Sequence, residues 1–179
     1  MPARDRSARI GLGGRAGWGA LVAGMAGLGV LEAAILHFAG TALLPAIAAH
    51  LLDLVVGVLT LAFLLAAASP LWTRIRIDDT TIHARFGGLG SLDIPRAEVS
   101  VAGPHRATPQ RPAQLGMDFD AESGLLSWVR SPTSPLVRID FTAPLPARTQ
   151  GWKRIEARSL LLSVDDAAHA LAALPGSPR

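Results

Sequence analysis

Two apolar runs carry four ionisable residues between them: Glu32 and His37 in the first, His50 and Asp53 in the second. Carboxylates and imidazoles ligate divalent metals such as iron, zinc or manganese, and imidazole exchanges protons near neutral pH. An aspartate at the centre of a membrane helix costs at least ~2.5 kcal/mol, so such groups pair and often mark a functional path. Counted outward from Thr41, Glu32 lies nine residues before the turn and His50 nine after it. In an antiparallel helix pair both then sit roughly 10–13 Å from the turn, at 1.5 Å per residue. Asp53 is one helical turn beyond His50 and opposite Gly29, which shares a face with Glu32 and leaves room for a carboxylate. Glu32, His50 and Asp53 are therefore expected to converge. His37, about 140° around the helix from Glu32, is set apart nearer the surface.

Three readings of that trio stay open. Glu32 and His50 hydrogen-bond across the hairpin and lock its register, with Asp53 protonated or paired. Alternatively the trio binds a divalent metal, or relays protons in redox or transport work. A second copy would double the ligands in a four-helix bundle, but carboxylate-bridged di-iron bundles use Glu-x-x-His and the order here is His50-x-x-Asp53. The register lock asks least of the residues and ranks first.

Other chemistry is poorly represented. Cysteine is absent, which excludes disulfides, thiolate metal sites and cysteine nucleophiles. His83, His105 and His169 have no partner at ligand spacing, and no nucleophile elbow or triad pattern occurs. The acidic stretch Asp118 to Ser123 lacks the glycine and distal glutamate of an EF-hand loop. The glycines between Gly11 and Gly17 superficially match a dinucleotide fingerprint, but no strand precedes them. The chain is accordingly read as non-enzymatic.

The elements that must position the four residues follow from hydropathy. Trp18 to Phe38 is long enough to cross a hydrocarbon core of ~30 Å, with Trp18 at the interface. Ala20–Gly24 and Ala23–Gly27 are small-xxx-small pairs that let helices approach closely, within the chain or between copies. Gly40 to Leu43 is the expected turn, Pro45 lies in the first turn of the next helix, and Leu44 to Ala68 is the second span. Ser69 to Trp72 ends it with a proline and another tryptophan. A secretory signal is set aside, because the cleavage-like LAAAS before Pro70 lies far beyond the usual 15–30 residues. Arginines flank the hairpin on both sides and the turn is uncharged, so the positive-inside rule puts both termini in the cytoplasm, at the cell membrane.

After Thr73 the apolar period changes to two. Ile75 and Ile77 alternate with Arg74, Arg76 and Asp78, then Ile82, Ala84 and Phe86 with Thr81, His83 and Arg85. Asp78 to Thr80 and Gly87 to Gly90 are turns, which makes an antiparallel meander. Further short strands are expected at 91–94, 98–102, 116–119, 125–129, 136–141 and 158–164, with long loops at 103–112 and 142–153. Ser163 reads as the N-cap of a closing amphipathic helix, with Asp166 three residues on and a stop at Pro175-Gly176. The expected division is a disordered basic N-terminus (1–16), a transmembrane hairpin (17–69), a cytoplasmic sheet domain (70–176) and a tail (177–179).

The hairpin TRIRIDDTTIHARFGGLGSLDIPRAEV and the closing RSLLLSVDDAAHALAAL resemble small bacterial membrane proteins with a transmembrane hairpin and a pleckstrin-homology-like (PH-like) domain. Glu32 and His37 also look like a feature of some such proteins. The resemblance implies a curved antiparallel sheet of about seven strands closed by a C-terminal helix, and a membrane-anchored scaffold or binding role. Eukaryotic domains of that fold bind phosphoinositides through a basic first loop; here that loop is Asp78-Asp79, so no such site is expected. The net charge is only +3 and the arginines are scattered, with Lys153 the only lysine. A nucleic-acid surface needs a concentrated basic stripe with aromatics, so none is expected. The expected partners are the lipid bilayer and a protein, either another polypeptide or a second copy of the chain. Arg74, Arg76, Arg85, Arg138, Arg154 and Arg158 could turn a basic face to anionic lipid, at ~1 kcal/mol per charge.

Overall fold

The computed structural model describes residues 8–108 and 112–176. They form two compact units: Trp18–Ala68, and a sheet unit built from the segments on either side of it in the chain.

In the first unit, helix α1 (Arg15–Leu43) and helix α2 (Ala46–Ala68) are 29 and 23 residues long and apolar enough to cross a membrane. Leu44 leaves the helix because it precedes Pro45, and the proline ring disfavours helical backbone in the residue before it. The expected turn at Gly40 and Thr41 is instead the last turn of α1. Thr41 is accommodated there with its hydroxyl donating to the carbonyls of His37 (2.9 Å) and Phe38 (3.1 Å). The buried residues Trp18, Gly29 and Gly40 recur every eleven positions on α1, which returns to the same face after about three turns. Trp18 donates its indole N–H to the carbonyl of Ala67 (2.9 Å), and a Cβ on Gly29 would press within 2.9 Å of the Thr60 side chain. Gly29 thus faces Thr60 and not Asp53. Most other large side chains of this unit are exposed, Phe38 and Ile47 by more than 70%. An apolar surface this extensive marks an interaction site for a membrane or for other protein.

The sheet unit holds nine strands: β1 (Ala8–Ile10), β2 (Arg74–Ile77), β3 (Thr81–Phe86), β4 (Gly90–Pro95), β5 (Val99–His105), β6 (Gly116–Asp120), β7 (Leu125–Val129), β8 (Leu136–Thr149) and β9 (Lys153–Ser163). Their order is β1-β2-β3-β4-β8-β9-β7-β6, with β5 also on β8. All pairings are antiparallel except β7 with β9. Nine strands and a parallel pair replace the expected seven antiparallel ones. One addition comes from the N-terminal arm. Expected to be disordered, it forms β1 from residue 8 onward, with Arg9 opposite Arg76. Beyond β1, Leu12 is buried and Gly13 donates its N–H to the Ser163 carbonyl (3.1 Å). The part of that arm before residue 8 lies outside the described residues, as does the 177–179 tail.

The expected loop at 142–153 is also largely strand. β8 runs 14 residues to Thr149, and β9 starts at Lys153. Pro144 and Pro146 concealed this in the sequence, yet the β8–β9 register shifts between Asp140 and Leu145, which puts Pro144 where a proline does least harm to a ladder, while Pro146 sits opposite Glu156. The irregularity lets β8 pair with β5 along its first half and with β4 near its end. Inward residues such as Ile75, Ile82, Phe86, Leu92, Ile94, Leu126, Ile139 and Leu162 fill one core, where Trp128 stacks on Phe86 with ring centres 5.7 Å apart. Each such burial contributes about 1.5–3 kcal/mol. Helix α3 (Ala167–Ala173) adds Ala170, and Leu174 follows it into the core. Its cap is Asp166, whose carboxylate accepts from the N–H groups of Ala168 (2.8 Å) and His169 (3.1 Å). Ser163 belongs to β9 and its hydroxyl accepts from the Arg130 N–H instead (2.9 Å).

Candidate functional site

The extension of α1 from the expected Phe38 to Leu43 moves the crossing point of the helical pair towards Pro45. That shift re-sorts the four ionisable candidates of the helical unit. Asp53 pairs with His37, Nδ1 to Oδ2 at 2.8 Å, and not with His50. Glu32 lines a groove of about 350 Å³ with Gly29, Thr60, Leu59 and Phe63. Glu32 and His50 are both exposed, and neither has a hydrogen bond or ion pair with another described residue. The expected convergence of Glu32, His50 and Asp53 is therefore overturned, and His37, set apart in the sequence reading, is Asp53's partner. Among the described residues, no group of three or more histidine, cysteine, aspartate or glutamate side chains has metal-holding geometry. The His37–Asp53 pair supplies two ligands, where a protein metal site needs three or four.

A second cluster lies on the outward face of β2–β3–β4. The Gly87–Gly90 turn sets a register that places His83 opposite both Arg76 and Asp93. His83 Nδ1 lies 2.7 Å from Asp93 Oδ1, and its Nε2 lies 3.4 Å from Asp78 Oδ2. Arg85 grips the same aspartate, NH1 at 2.8 Å from Oδ1 and NH2 at 3.1 Å from Oδ2. Arg76 Nε donates to Asp78 at 2.8 Å. The Arg85 hydrogen bond holds the Asp93 carboxyl below the usual aspartate range; partial burial works against this, and the hydrogen bond from His83 reinforces it. Sequence reading passed over His83 as an unpartnered strand histidine. The available signal was the hairpin itself: once the glycine turn is counted, Asp93 falls directly across from it.

Two other polar groups are engaged within the fold. Asp120 accepts from the Ser123 hydroxyl (2.6 Å) and the Glu122 N–H (3.0 Å), which makes the acidic stretch a self-satisfied turn. Arg130 is buried and donates to the carbonyls of Gly13 (3.3 Å) and Pro70 (3.4 Å). Burial lowers its pKa, opposed by the Asp165 carboxylate. No family model, curated protein or solved structure matches the chain.

Proposed function

We propose that the chain is a membrane-anchored binding module. In this reading α1 and α2 span the cell membrane with both termini cytoplasmic, and a PH-like sheet unit engages a protein partner through the outward face of β2–β4. The observation that carries it is the Asp78–His83–Asp93–Arg85 lattice. These side chains are solvent-facing yet held in fixed geometry across two strand pairs and the β2–β3 turn. Preorganised polar groups on a sheet lose little freedom on docking. The membrane orientation is supported by Arg15 at the start of α1, Arg74 and Arg76 after α2, and the absence of charge from Ala39 to Ala49. The PH-like assignment is supported by the antiparallel meander and the capped C-terminal helix.

Affinity purification from native membranes, comparing wild type with His83→Ala/Asp93→Asn, tests the reading. The expected result is one stoichiometric protein retained by the wild type and reduced at least tenfold by the variant. Purified, partner-free protein that turned over a substrate would refute it.

A second reading is favoured by one contact, the 2.8 Å approach of His37 to Asp53 between two helices fit to cross a membrane. Such a pair handles protons in some membrane proteins. Proton flux in sealed vesicles that disappears in Asp53→Asn would support it, and unaltered flux would remove it.

A further inference from the structure

The Ser69–Trp72 turn follows α2 directly in the chain, and two loops of the sheet unit are built beside it. Gly87 packs so tightly on Ser69 that no Cβ fits, and the Gly88 N–H points to the Ser69 hydroxyl at 3.4 Å. The β8–β9 turn joins them, with the Gly151 N–H donating to the Leu89 carbonyl at 2.9 Å. One end of the sheet is thus formed by the Ser69–Trp72, β3–β4 and β8–β9 turns.

Along this end the strand register lines up Arg74 with Arg85, Arg85 with Ser91, Ser91 with Arg148 and Arg148 with Arg154. The row crosses five strands, about 19 Å at ~4.8 Å per strand. All five residues face outward, because their neighbours Ile75, Ala84, Leu92, Ala147 and Ile155 are buried. Like charges directly opposite one another destabilise a sheet, and this row contains two such pairs, Arg74 with Arg85 and Arg148 with Arg154. Arg85 is balanced by Asp93, whereas Arg74, Arg148 and Arg154 make no ion pair among the described residues, although Asp93 and Glu156 line the same groove as Arg148 and Arg154. Lys153 adjoins the row. Trp72 and Trp152 lie at the same end, 56% and 80% exposed. The opposite end of β2 and β3 carries Asp78 and Asp79.

We propose that this basic, tryptophan-bearing rim docks on the anionic surface of the bilayer. The guanidinium groups of Arg74, Arg148 and Arg154 pair with lipid phosphates, Arg85 staying on Asp93, while Trp72 and Trp152 occupy the headgroup zone that tryptophan favours. Two observations select lipid over an acidic protein. The rim is built on the turn that directly follows a helix fit to span a membrane, and its repelling arginine pairs are flanked by exposed tryptophans. The inference rests on the membrane-anchored reading and adds a second, lipid-facing surface to it.

The test uses the full chain in lipid nanodiscs. The sequence has no cysteine, so Gly88→Cys, where a side chain meets open space, carries a polarity-sensitive label at the rim. Asp79→Cys carries it at the acidic end. Discs are made of phosphatidylcholine alone or with phosphatidylglycerol at about 30 mol%. The expected result is quenching of the position 88 label by headgroup-quencher lipid in the anionic discs, with the position 79 label still in water. Arg148→Ala/Arg154→Ala should lower the docking equilibrium roughly 30-fold, which is about 1 kcal/mol for each charge lost. Equal water exposure of both labels in anionic discs overturns the rim, as does protection at position 88 that ignores both lipid charge and the arginine substitutions. Protection that appears only when a co-purifying acidic protein is added assigns the rim to that protein and overturns the lipid assignment. Chain that stays out of the discs overturns the membrane reading itself, whereas chain that inserts with position 88 exposed overturns the rim alone.

Discussion

His37 Nδ1 lies 2.8 Å from Asp53 Oδ2, and this contact fixes the register of the helical pair together with the packing of Gly29 on Thr60. Pairings between polar groups of membrane helices average about 0.6 kcal/mol and reach about 1.7 kcal/mol. A double-mutant cycle on His37→Ala and Asp53→Ala, measured by unfolding in detergent, should return a coupling in that range. The same cycle on Glu32→Ala and His50→Ala should close near zero. A coupling between Glu32 and His50 as large as that of the first pair would restore the convergence that the structure has replaced.

Asp93 supplies a pH dependence whose sign follows from its partners. Arg85, and after it His83, stabilise the charged carboxylate in the folded state and lower its pKa. The unfolded state, with a pKa around 3.9, therefore takes up a proton first as the pH drops. The contribution is fully present above that value and is lost as pH falls through the lower, folded pKa. Asp93 is half exposed, so solvent screening keeps the effect under ~1 kcal/mol. Acid titration followed by near-ultraviolet circular dichroism should show Asp93→Asn less stable than wild type at neutral pH. The two should converge once the pH has fallen below the lowered, folded pKa of Asp93. A constant difference across that window would detach the effect from Asp93.

What could be read from the residues alone was whatever a local period encodes. The alternation from Arg74 to Phe86 placed β2 and β3, and Asp78 to Thr80 placed their turn, because pleat and turn chemistry act within a few residues. The helical turn was misplaced for an equally local reason. Glycine and threonine at 40 and 41 read as a break, but a threonine bonded to the preceding turn is tolerated in a helix, and Pro45 decides the end. That error moved the partners of Gly29 and His37 by about two helical turns, so Gly29 met Thr60 instead of Asp53. β1 was illegible for the opposite reason. Three residues carry no period, and Gly11 and Gly13 read as flexibility when they serve close approach to Asp165 and Ser134.

Gly87 and Gly88 make a matched pair of tests for the Ser69 contact. Gly87 has φ +56 and leaves no space for a Cβ, whereas Gly88 faces open space. A non-glycine residue in left-handed backbone costs of order 1–3 kcal/mol before any clash is counted. Gly87→Ala should therefore destabilise by at least about 2 kcal/mol, and Gly88→Ala should stay within about 0.5 kcal/mol of wild type. Equal losses measured by chemical denaturation would mean the β3–β4 turn does not pack on Ser69 as described.

Arg130 ties the N-terminal arm and the Ser69–Trp72 turn to the strands, since its side chain donates to Gly13 and Pro70 from a site 6% exposed. Arg130→Ala leaves two carbonyls without donors, at about 1–3 kcal/mol for each group that stays dry. The expected overall loss is on the order of 2–3 kcal/mol, because water re-enters beside the shortened side chain. The damage should be local first: β1 has only three residues, and Gly13 loses its clamp. Limited trypsin digestion in detergent should cut after Arg9 and Arg15 at least tenfold faster in Arg130→Ala, before the core strands are touched. Arg130→Lys, able to reach one carbonyl but not both, should fall between. If both variants were cleaved at the wild-type rate, the arm would be held by β1 pairing alone and Arg130 would be no clamp.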